Sequence, residues 1–313
     1  MSDELAKIYA DMAVLPARFN TPFRSLFFCG GVRGNGTARP TSLRDYLFRK
    51  RSIRFKANIV FAEDANQLYR DTKYSDLISF EEDIARIVSS VLVIVESPGS
   101  FAELGAFAMN DTIRESLRVI VQSKFADRES FIRYGPIQKL RNEDEETVAF
   151  YPWETHKNGG IVVSSIKSHY TEIKNYISGG IDSSPKSRQF HTDKEVKKFF
   201  IIYWVLYHSY ASSLNVLLWA VNKLDPGISL SQLKNCLYCL KLVGWVGKET
   251  YSSKDYFFAL SSSDPVSYNY PKNQRAGQSM LTRQLAIRKE FAVREKIPKH
   301  VTTVVKAQRE AAK

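Results

Sequence analysis

The stretch that decides the fold is SVLVIVESPGSFAELGAFAM, residues 90–109. Its first part, Ser90–Glu96, is almost entirely apolar, as is typical of a parallel strand covered by helices on both faces. The turn Ser97-Pro98-Gly99-Ser100 follows, and small residues over Ala102–Met109 predict a helix. The stretch therefore predicts a strand, a sharp turn and a helix in direct succession.

Three further apolar segments predict strands around this one: Ser25–Cys29, Ala57–Ala62 and Arg118–Gln122. A glycine-rich loop, Gly30–Gly36, follows the first of them, and a helical pattern runs over Ser79–Val88. Strands that alternate with helices indicate an α/β fold, a Rossmann-like parallel sheet with helices on both faces. In such sheets the ligand binds outside the carboxyl ends of the strands. The loops that begin at Cys29, Glu63 and Glu96 are therefore expected to line one crevice.

Composition shifts divide the rest of the chain. Residues 178–190 begin with SGGIDSSPKSR, which is typical of a linker. Helical runs at 194–212, 214–224 and 229–243, followed by a hairpin pattern at 245–260, predict a winged helix-turn-helix. The resulting division is an N-terminal extension (1–24), an α/β domain (25–177), a linker (178–190), a winged-helix domain (191–262) and a basic helical tail (263–313).

The excess of positive over negative charge lies entirely in the C-terminal part of the chain. The net charge is +12, from 45 Lys+Arg and 33 Asp+Glu, and residues 185–313 alone hold 21 basic and 9 acidic side chains. Clustered Lys and Arg neutralise phosphates, so the C-terminal half is expected to bind nucleic acid. A protein-binding module with a solvated basic surface is the alternative. The expected nucleic-acid contacts are Lys234, Lys241, Lys248 and Lys254.

Cysteine content and hydropathy indicate a cytoplasmic protein. The three cysteines, Cys29, Cys236 and Cys239, are too few for a disulfide framework and favour a reducing compartment. Cys236 and Cys239 fall within a helical pattern without histidines in zinc spacing, so we expect core thiols and no metal site. Residues 199–221 contain no charged side chain, but the polar cluster HSYASSLN in their middle favours two buried helices over a membrane span.

Glu103 is the main catalytic candidate. It lies one turn inside a helix whose first N–H groups are expected to face the crevice. A glutamate there either projects into the crevice or is a solvated residue that complements the helix dipole.

The other candidates share the same edge of the sheet. Asp64 could accept hydrogen bonds from ribose hydroxyls or act as a turn residue, and Glu81 could face the crevice or belong to a solvated first turn. The glycine loop permits close approach to a phosphate, although a flexible turn has the same composition. The residues expected to contact substrate are Cys29, Gly30, Gly31, Asp64, Glu81, Ser97, Gly99 and Ser100.

Several of these motifs occur together in one known family. The segments FFCGG (27–31), ESPGSFAELGAF (96–107) and FIRYGP (131–136), with the acidic pair after the second strand, resemble the nucleoside deoxyribosyltransferase-like effectors of bacterial retrons. Those proteins join such a domain to a C-terminal winged-helix domain, in the order predicted here. The resemblance covers roughly residues 25–145 by motif and the remainder by architecture.

The resemblance implies an activity and partners. It implies that Glu103 attacks the anomeric carbon of a ribosyl or deoxyribosyl group and forms a glycosyl ester. It also implies a toxin that hydrolyses NAD as substrate, without a cofactor, during phage infection. The implied partners are the retron reverse transcriptase and its branched RNA–DNA product, msDNA, which would restrain the toxin, and an oligomer is expected because related transferases complete their sites between subunits.

One departure from the family pattern affects the expected reaction. The transferases carry an aspartate six residues before the nucleophile, and here that position is Ser97. Hydrolysis is therefore expected rather than transfer. The alternatives are a nucleotide-sensing DNA-binding regulator without enzymatic activity, and a hydrolase or transferase acting on free deoxynucleosides or deoxynucleotides.

Overall fold

A computed structural model describes residues 3–14, 17–34, 39–49, 55–63, 74–157, 159–191, 193–268 and 280–312. These residues form two compact units. The α/β unit comprises the described parts of 24–63 and 76–185, and the C-terminal unit comprises those of 3–23, 74–75 and 186–312. The N-terminal helix thus belongs to the same unit as the C-terminal half of the sequence.

The elements alternate along the chain much as the hydropathy pattern predicts. The described strands are β1 (Arg18–Asn20), β2 (Ser25–Cys29), β3 (Asn58–Phe61), β4 (Ser90–Val95), β5 (Leu117–Gln122), β6 (Val148–Tyr151), β7 (Glu154–Thr155), β8 (Ile161–Val162), β9 (Ser187–Gln189), β10 (Ser212–Ser213), β11 (Val246–Tyr251), β12 (Lys254–Ala259) and β13 (Val266–Ser267). The described α-helices are α1 (Glu4–Val14), α2 (Leu43–Arg49), α3 (Leu77–Ala85), α4 (Pro98–Met109), α5 (Asp111–Arg114), α6 (Gln138–Glu143), α7 (Val163–Ile166), α8 (Tyr170–Ser183), α9 (Lys194–Ser209), α10 (Leu214–Leu224), α11 (Leu230–Leu242), α12 (Met280–Arg294) and α13 (Lys299–Ala311).

The α/β unit is built on a five-stranded sheet in which every neighbouring pair is parallel. The strand order is β3-β2-β4-β5-β6, so the four strands predicted from apolar runs are confirmed, and a fifth, β6, was not predicted. The chain places β3 on one side of β2 and all later strands on the other. The reversal between β2 and β4 opens a crevice at their carboxyl ends.

Helices cover both faces of this sheet. On one face Leu26, Phe28 and Leu92 pack in a core with residues of α2 and α8. On the other face Phe27 meets Phe80 of α3 edge to face, with ring centroids 6.2 Å apart. Along β2 and β4 the side chains on both faces of the sheet are buried. This burial explains why both strands consist mainly of apolar residues.

The predicted linker, residues 178–190, contains regular structure. Helix α8 continues to Ser183, and β9 follows it. A Cβ atom at Gly180 would lie 2.9 Å from Cγ of Arg118, so glycine at this position allows α8 to approach the sheet closely. Gly180, one of the two glycines that suggest a linker in the sequence, therefore serves helix packing.

The C-terminal unit combines three helices, α9, α10 and α11, with an antiparallel sheet of order β10-β12-β11. Ser252 and Ser253, with φ of 47° and 60°, form the turn of the β11–β12 hairpin. The predicted helices and hairpin are thus found within a few residues of their expected bounds.

The basic C-terminal segment packs into this unit. Val301 and Val305 of α13 form a small core with Tyr256 and Phe258 of the hairpin. Arg309 Nε donates to the carbonyl of Ala259 at 2.8 Å. The helical character predicted for residues 263–313 is confirmed over α12 and α13. Ile287 and Phe291 of α12 are buried, as are Val301 and Val305 of α13, whereas Leu281, Leu285 and Val293 of α12 are exposed.

Residues 199–221 belong to two helices. Helix α9 ends at Ser209, Tyr210 has a φ of 72°, and α10 begins at Leu214. Among the described residues, no helix is both long and apolar enough to cross a bilayer.

Candidate active site

Glu96 holds the two loops of the crevice together. It follows β4, and its carboxylate accepts hydrogen bonds from the backbone N–H groups of Gly31 (3.0 Å), Leu43 (2.6 Å) and Arg44 (3.0 Å). Burial raises the pKa of this carboxyl group, and the three backbone hydrogen bonds and the charge of Arg44 oppose that shift. The carboxylate therefore ties the loop after β2 and the first turn of α2 to the end of β4.

The glycines after β2 make room for this arrangement. Gly30 has a φ of 151°, and a Cβ on Gly31 would lie 2.8 Å from Cβ of Ser42 and 3.0 Å from Cδ of Glu96. Glycine is needed at both positions, because protein atoms already occupy the space that a side chain would take. Both glycines lie in the loop after β2, and the atoms in closest contact with them belong to Arg44, Ser42, Glu96 and the backbone of Ile94.

Ser97 and Ser100 form the start of helix α4. Ser97 Oγ accepts from the N–H of Ser100 at 3.2 Å, while Ser100 Oγ accepts from the N–H groups of Glu96 and Ser97, both at 2.9 Å. This reciprocal cap satisfies N–H groups at the helix start. Gly99 is exposed in the same turn. The two serines predicted to contact substrate therefore have a structural role in positioning α4.

Arg44 is the cation of the crevice. Its side chain is 2% exposed and donates to the carbonyl of Gly31 at 2.7 Å, to the carbonyl of Phe28 at 3.0 Å and to both carboxylate oxygens of Glu63. Arg33 lies 3.5 Å from Glu63. Two-point binding of a carboxylate by arginine fixes both side chains. The acidic residue at the end of β3 is thus engaged by arginines, whereas its neighbour Asp64 lies outside the described residues.

Glu103 differs from these groups because one of its carboxylate oxygens has no partner in the described part of the chain. Its Oε2 atom is buried and has no hydrogen-bond partner among the described residues. Burial raises the pKa of Glu103, the positive charge of Arg44 lowers it, and the charge of Glu63 raises it. An unpaired buried carboxylate is energetically unfavourable, and such groups are concentrated at functional sites.

Two further predicted residues surround Glu103. The pKa of Glu81 is raised to about 8, first by burial and then by the negative charge of Glu103. A pKa of about 8 favours the protonated form of Glu81 at neutral pH, and the charge of Arg44 opposes the upward shift of the Glu103 pKa. Cys29 is buried at the end of β2, and burial and the charges of Glu103 and Glu81 raise its pKa well above the usual value. This thiol is therefore neutral and unsuited to act as a nucleophile.

The fold brings the carboxyl groups of Glu103 and Glu81 to one crevice. Sequence reasoning identified Glu103, Glu81 and Cys29 there but missed Arg44, which the sequence places in an ordinary amphipathic helix, LRDYLFR. No motif marks Arg44, and only its burial and four acceptors reveal it. A nucleophilic carboxylate beside a proton donor is suited to displacement at an electrophilic carbon such as the anomeric carbon of a sugar.

The lysines predicted to bind nucleic acid lie on α11 and the hairpin of the C-terminal unit. Lys248 pairs with Asp255 at 2.8 Å, and Lys254 pairs with Glu295. Lys234 and Lys241 are half-buried on α11. The middle of that helix, Cys236–Leu240, is completely buried. Cys239 Sγ lies 3.3 Å from the hydroxyl of Tyr74, and the thiols of Cys236 and Cys239, predicted to lie in the core, are buried.

Comparison with known proteins identifies relatives. The family described as STM3845 retron effector protein matches residues 40–248, about two thirds of the chain. The Escherichia coli protein named "Retron Ec86 putative ribosyltransferase/DNA-binding protein" is 34% identical over 125 residues, 40% of this chain and 39% of that protein. The E. coli protein named "Retron Ec73 putative ribosyltransferase/DNA-binding protein" is 29% identical over 129 residues, 40% of each chain. The matches thus span about two fifths of the length of these relatives.

Proposed function

We propose, from the premise that this chain belongs to the STM3845 retron effector protein family, that its α/β unit is an N-glycosidase with Glu103 as the nucleophile. The observation that carries the proposal is the buried, unpartnered Oε2 of Glu103 at the reversal point of the sheet. The names of the two E. coli relatives include ribosyltransferase, which supports glycosyl transfer as the class of chemistry.

The first step is displacement at the anomeric carbon. Glu103 Oε2 forms a bond to that carbon while the C–N glycosidic bond breaks and its electron pair leaves with the base. A cationic base such as nicotinamide departs neutral and needs no proton. A neutral base requires one, and Glu81, protonated at neutral pH, is the available donor. Arg44 favours the ionised form of Glu103 before attack.

The second step is hydrolysis of the glycosyl ester. Water attacks the anomeric carbon, the bond to Glu103 breaks, and the carboxylate is regenerated. With NAD as substrate the products are nicotinamide, ADP-ribose and one proton, and no further cofactor is consumed. We take Gly30, Gly31 and Gly99 as the substrate-facing positions, because Cys29 is buried and Ser97 and Ser100 already hydrogen-bond within the α4 cap. The predicted contact Asp64 lies outside the described residues.

The biological role follows from the family. We propose that the chain is a toxin of an anti-phage retron in the cytoplasm and that it acts as an oligomer. Depletion of NAD would stop growth of the infected cell, and the retron reverse transcriptase with its msDNA would hold the toxin inactive before infection.

The C-terminal unit supplies the nucleic-acid contact in this proposal. Three helices followed by a hairpin that pairs with a short strand are consistent with a winged helix-turn-helix. The names of the relatives include DNA-binding, and the whole excess of positive charge lies in residues 185–313.

The decisive experiment measures NAD and growth with and without Glu103. The chain is expressed alone and together with its retron reverse transcriptase and RNA, and nucleotides are quantified by mass spectrometry. We expect NAD loss with the chain alone, protection by co-expression, and a fall in activity of at least about 10³-fold in Glu103→Gln. Glu115→Gln, an exposed glutamate of the same unit, is the matched control and should retain activity.

Other outcomes distinguish the alternatives. Cleavage of free deoxynucleosides or deoxynucleotides, with NAD untouched, would identify a nucleoside hydrolase or transferase. Absence of turnover with every nucleotide, in the chain alone and with its partners, would indicate a regulator without enzymatic activity. Full NAD cleavage by a folded Glu103→Gln protein would refute the role of Glu103.

A further inference from the structure

A groove in the C-terminal unit lies between helices α10 and α12. It consists of two adjoining hollows of about 650 and 520 Å³ that share Asn215, Trp219 and Lys223. Glu290 and Arg294 of α12 line the larger hollow. We call this feature the Trp219 groove. Its lining residues belong to α10 and α12, whereas the predicted nucleic-acid contacts belong to α11 and the hairpin.

The floor of the groove is aromatic and its rim is cationic. Trp219 is half-buried, and the edge of its ring packs against Phe291 with centroids 6.1 Å apart. The guanidinium carbon of Arg294 lies 3.4 Å from the centroid of the indole, and Lys223 Nζ lies 5.0 Å from it. An indole flanked by two cations combines a surface for stacking with charges that attract phosphate.

Two polar groups in the groove have unused hydrogen-bonding capacity. Glu290 pairs with Lys223 through Oε1 at 3.3 Å, but its Oε2 is buried without a partner among the described residues. Asn215 is exposed at the mouth of the groove. The carboxylate oxygen can accept from an amino group and the amide can both donate and accept, which are the contacts that the edge of a nucleobase offers.

The hairpin lysines of this unit contact carboxylates, unlike Arg294 of the groove. Lys248 and Lys254 of the hairpin pair with Asp255 and Glu295, and the middle of α11 is buried. Lys223 also pairs, with Asp3 and Glu290, but Arg294 is exposed and contacts an aromatic face instead of a carboxylate. The groove is therefore where cation, aromatic ring and unsatisfied acceptor meet.

We propose that the Trp219 groove binds an unpaired nucleotide of a single-stranded nucleic acid, with its base stacked against Trp219 and its phosphate near Arg294. The inference rests on the proposed nucleic-acid function of the C-terminal unit and assigns that function a surface. A single strand is required because the faces of bases within a duplex are covered by their neighbours.

The test measures binding of the full chain to a fluorescein-labelled 20-nucleotide single-stranded DNA and to the same sequence as a duplex, over a range of salt concentrations. We expect a preference for the single strand. Trp219→Ala should weaken single-strand binding by at least about fivefold at every salt concentration, because base stacking releases no counterions and is insensitive to salt. Trp219→Phe should recover most of the affinity, and melting curves establish that each variant is folded.

Binding of an abasic oligonucleotide tests directly whether base stacking contributes to affinity. An oligonucleotide with abasic positions should bind the unaltered chain and Trp219→Ala with equal affinity. Arg294→Gln should weaken binding more than Lys299→Gln, which removes an exposed lysine at the start of α13 as a control for general loss of charge.

Three results would overturn the proposal. If folded Trp219→Ala binds the single strand as well as the unaltered chain does, the groove is not the site, although nucleic-acid binding itself stands. If affinity falls only in Lys248→Gln and Lys254→Gln, the hairpin is the interface. If the unaltered chain binds no nucleic acid, the function proposed for the C-terminal unit fails as well.

Discussion

The crevice of the α/β unit and the hairpin of the C-terminal unit differ in whether their charged side chains have partners. Most of the described charged groups of the crevice are paired or hydrogen-bonded, but Glu103 has a buried oxygen without a described partner. The hairpin lies in the basic half, yet Lys248 and Lys254 are both paired with carboxylates of the same unit. Net charge therefore does not locate a site in this protein. A charged group that the fold leaves unsatisfied is the better guide.

Within the crevice the same contrast separates two glutamates seven positions apart. Glu96 accepts three backbone N–H groups and stabilises the loops, whereas Glu103 accepts none in the described structure through its buried oxygen. Hydrogen bonds to a carboxylate stabilise its charged form, so Glu96 is a structural group and Glu103 is available for reaction. The following predictions test this division.

The largest effect on stability is expected from Glu96→Ala. The substitution leaves the N–H groups of Gly31, Leu43 and Arg44 without their acceptor, and each unsatisfied buried donor costs about 1–3 kcal/mol. We expect the free energy of unfolding to fall by about 3 kcal/mol or more, measured by urea denaturation. Glu103→Gln is the comparison and should leave stability unchanged or higher. Equal losses in both variants would remove the distinction between the two glutamates.

Arg44→Met should affect both stability and the pH dependence of activity. Loss of the guanidinium frees Glu63 and two carbonyl acceptors, which we expect to cost about 2 kcal/mol. Because the charge of Arg44 lowers the pKa of Glu103, its removal should move the acidic limb of the kcat/KM profile to higher pH. Arg114→Met, at an ion pair with Asp111 on the same unit, is the control and should leave that limb in place.

Glu81→Gln should raise stability in a pH-dependent manner. The pKa of Glu81 is about 8 in the folded protein and near 4.5 when unfolded, so between these values the unfolded chain releases a proton that the folded chain retains. The stability of the unaltered protein therefore falls as pH rises through this window, and the variant avoids that loss. We expect the variant's melting temperature to exceed that of the unaltered chain by about 3 °C or more at pH 8, with the difference vanishing near pH 4.

Glu82→Gln provides the matched control for this measurement. Glu82 is adjacent in sequence but pairs with Arg86 at 2.8 Å. Its substitution removes one i,i+4 ion pair and should not reproduce the rise in melting temperature at pH 8. A pH-independent difference in Glu81→Gln would show that Glu81 titrates normally.

The smallest effects are expected at the hairpin. Lys248→Ala and Lys254→Ala each remove a partly exposed ion pair, and such pairs contribute less than about 1 kcal/mol. Thermal unfolding should detect little change for either variant. A loss of several kcal/mol would mean that these lysines are structural, and the contrast with Glu96 would disappear.

Much of the α/β fold could be predicted because its signals are local. Continuous apolar runs identify β2, β3, β4 and β5, and the turn at Pro98 and Gly99 identifies the start of α4. The strand β6 was missed because VAFY is short and adjoins a proline. The predicted linker contains helix and strand, and Gly180 within it allows α8 to pack closely against the sheet.

The sequence by itself determined the alternation of strands and helices, the edge of the sheet where the candidate residues gather, and the half of the chain that carries the positive charge. Only the tertiary structure decided which charged groups are satisfied. Gly31 and Glu96 are 65 positions apart, and Arg44 and Glu63 are 19 apart. The pairing and burial of a charged group depend on distances in space, and the residues that satisfy Glu96, or leave Glu103 unsatisfied, meet only when the sheet and its loops assemble.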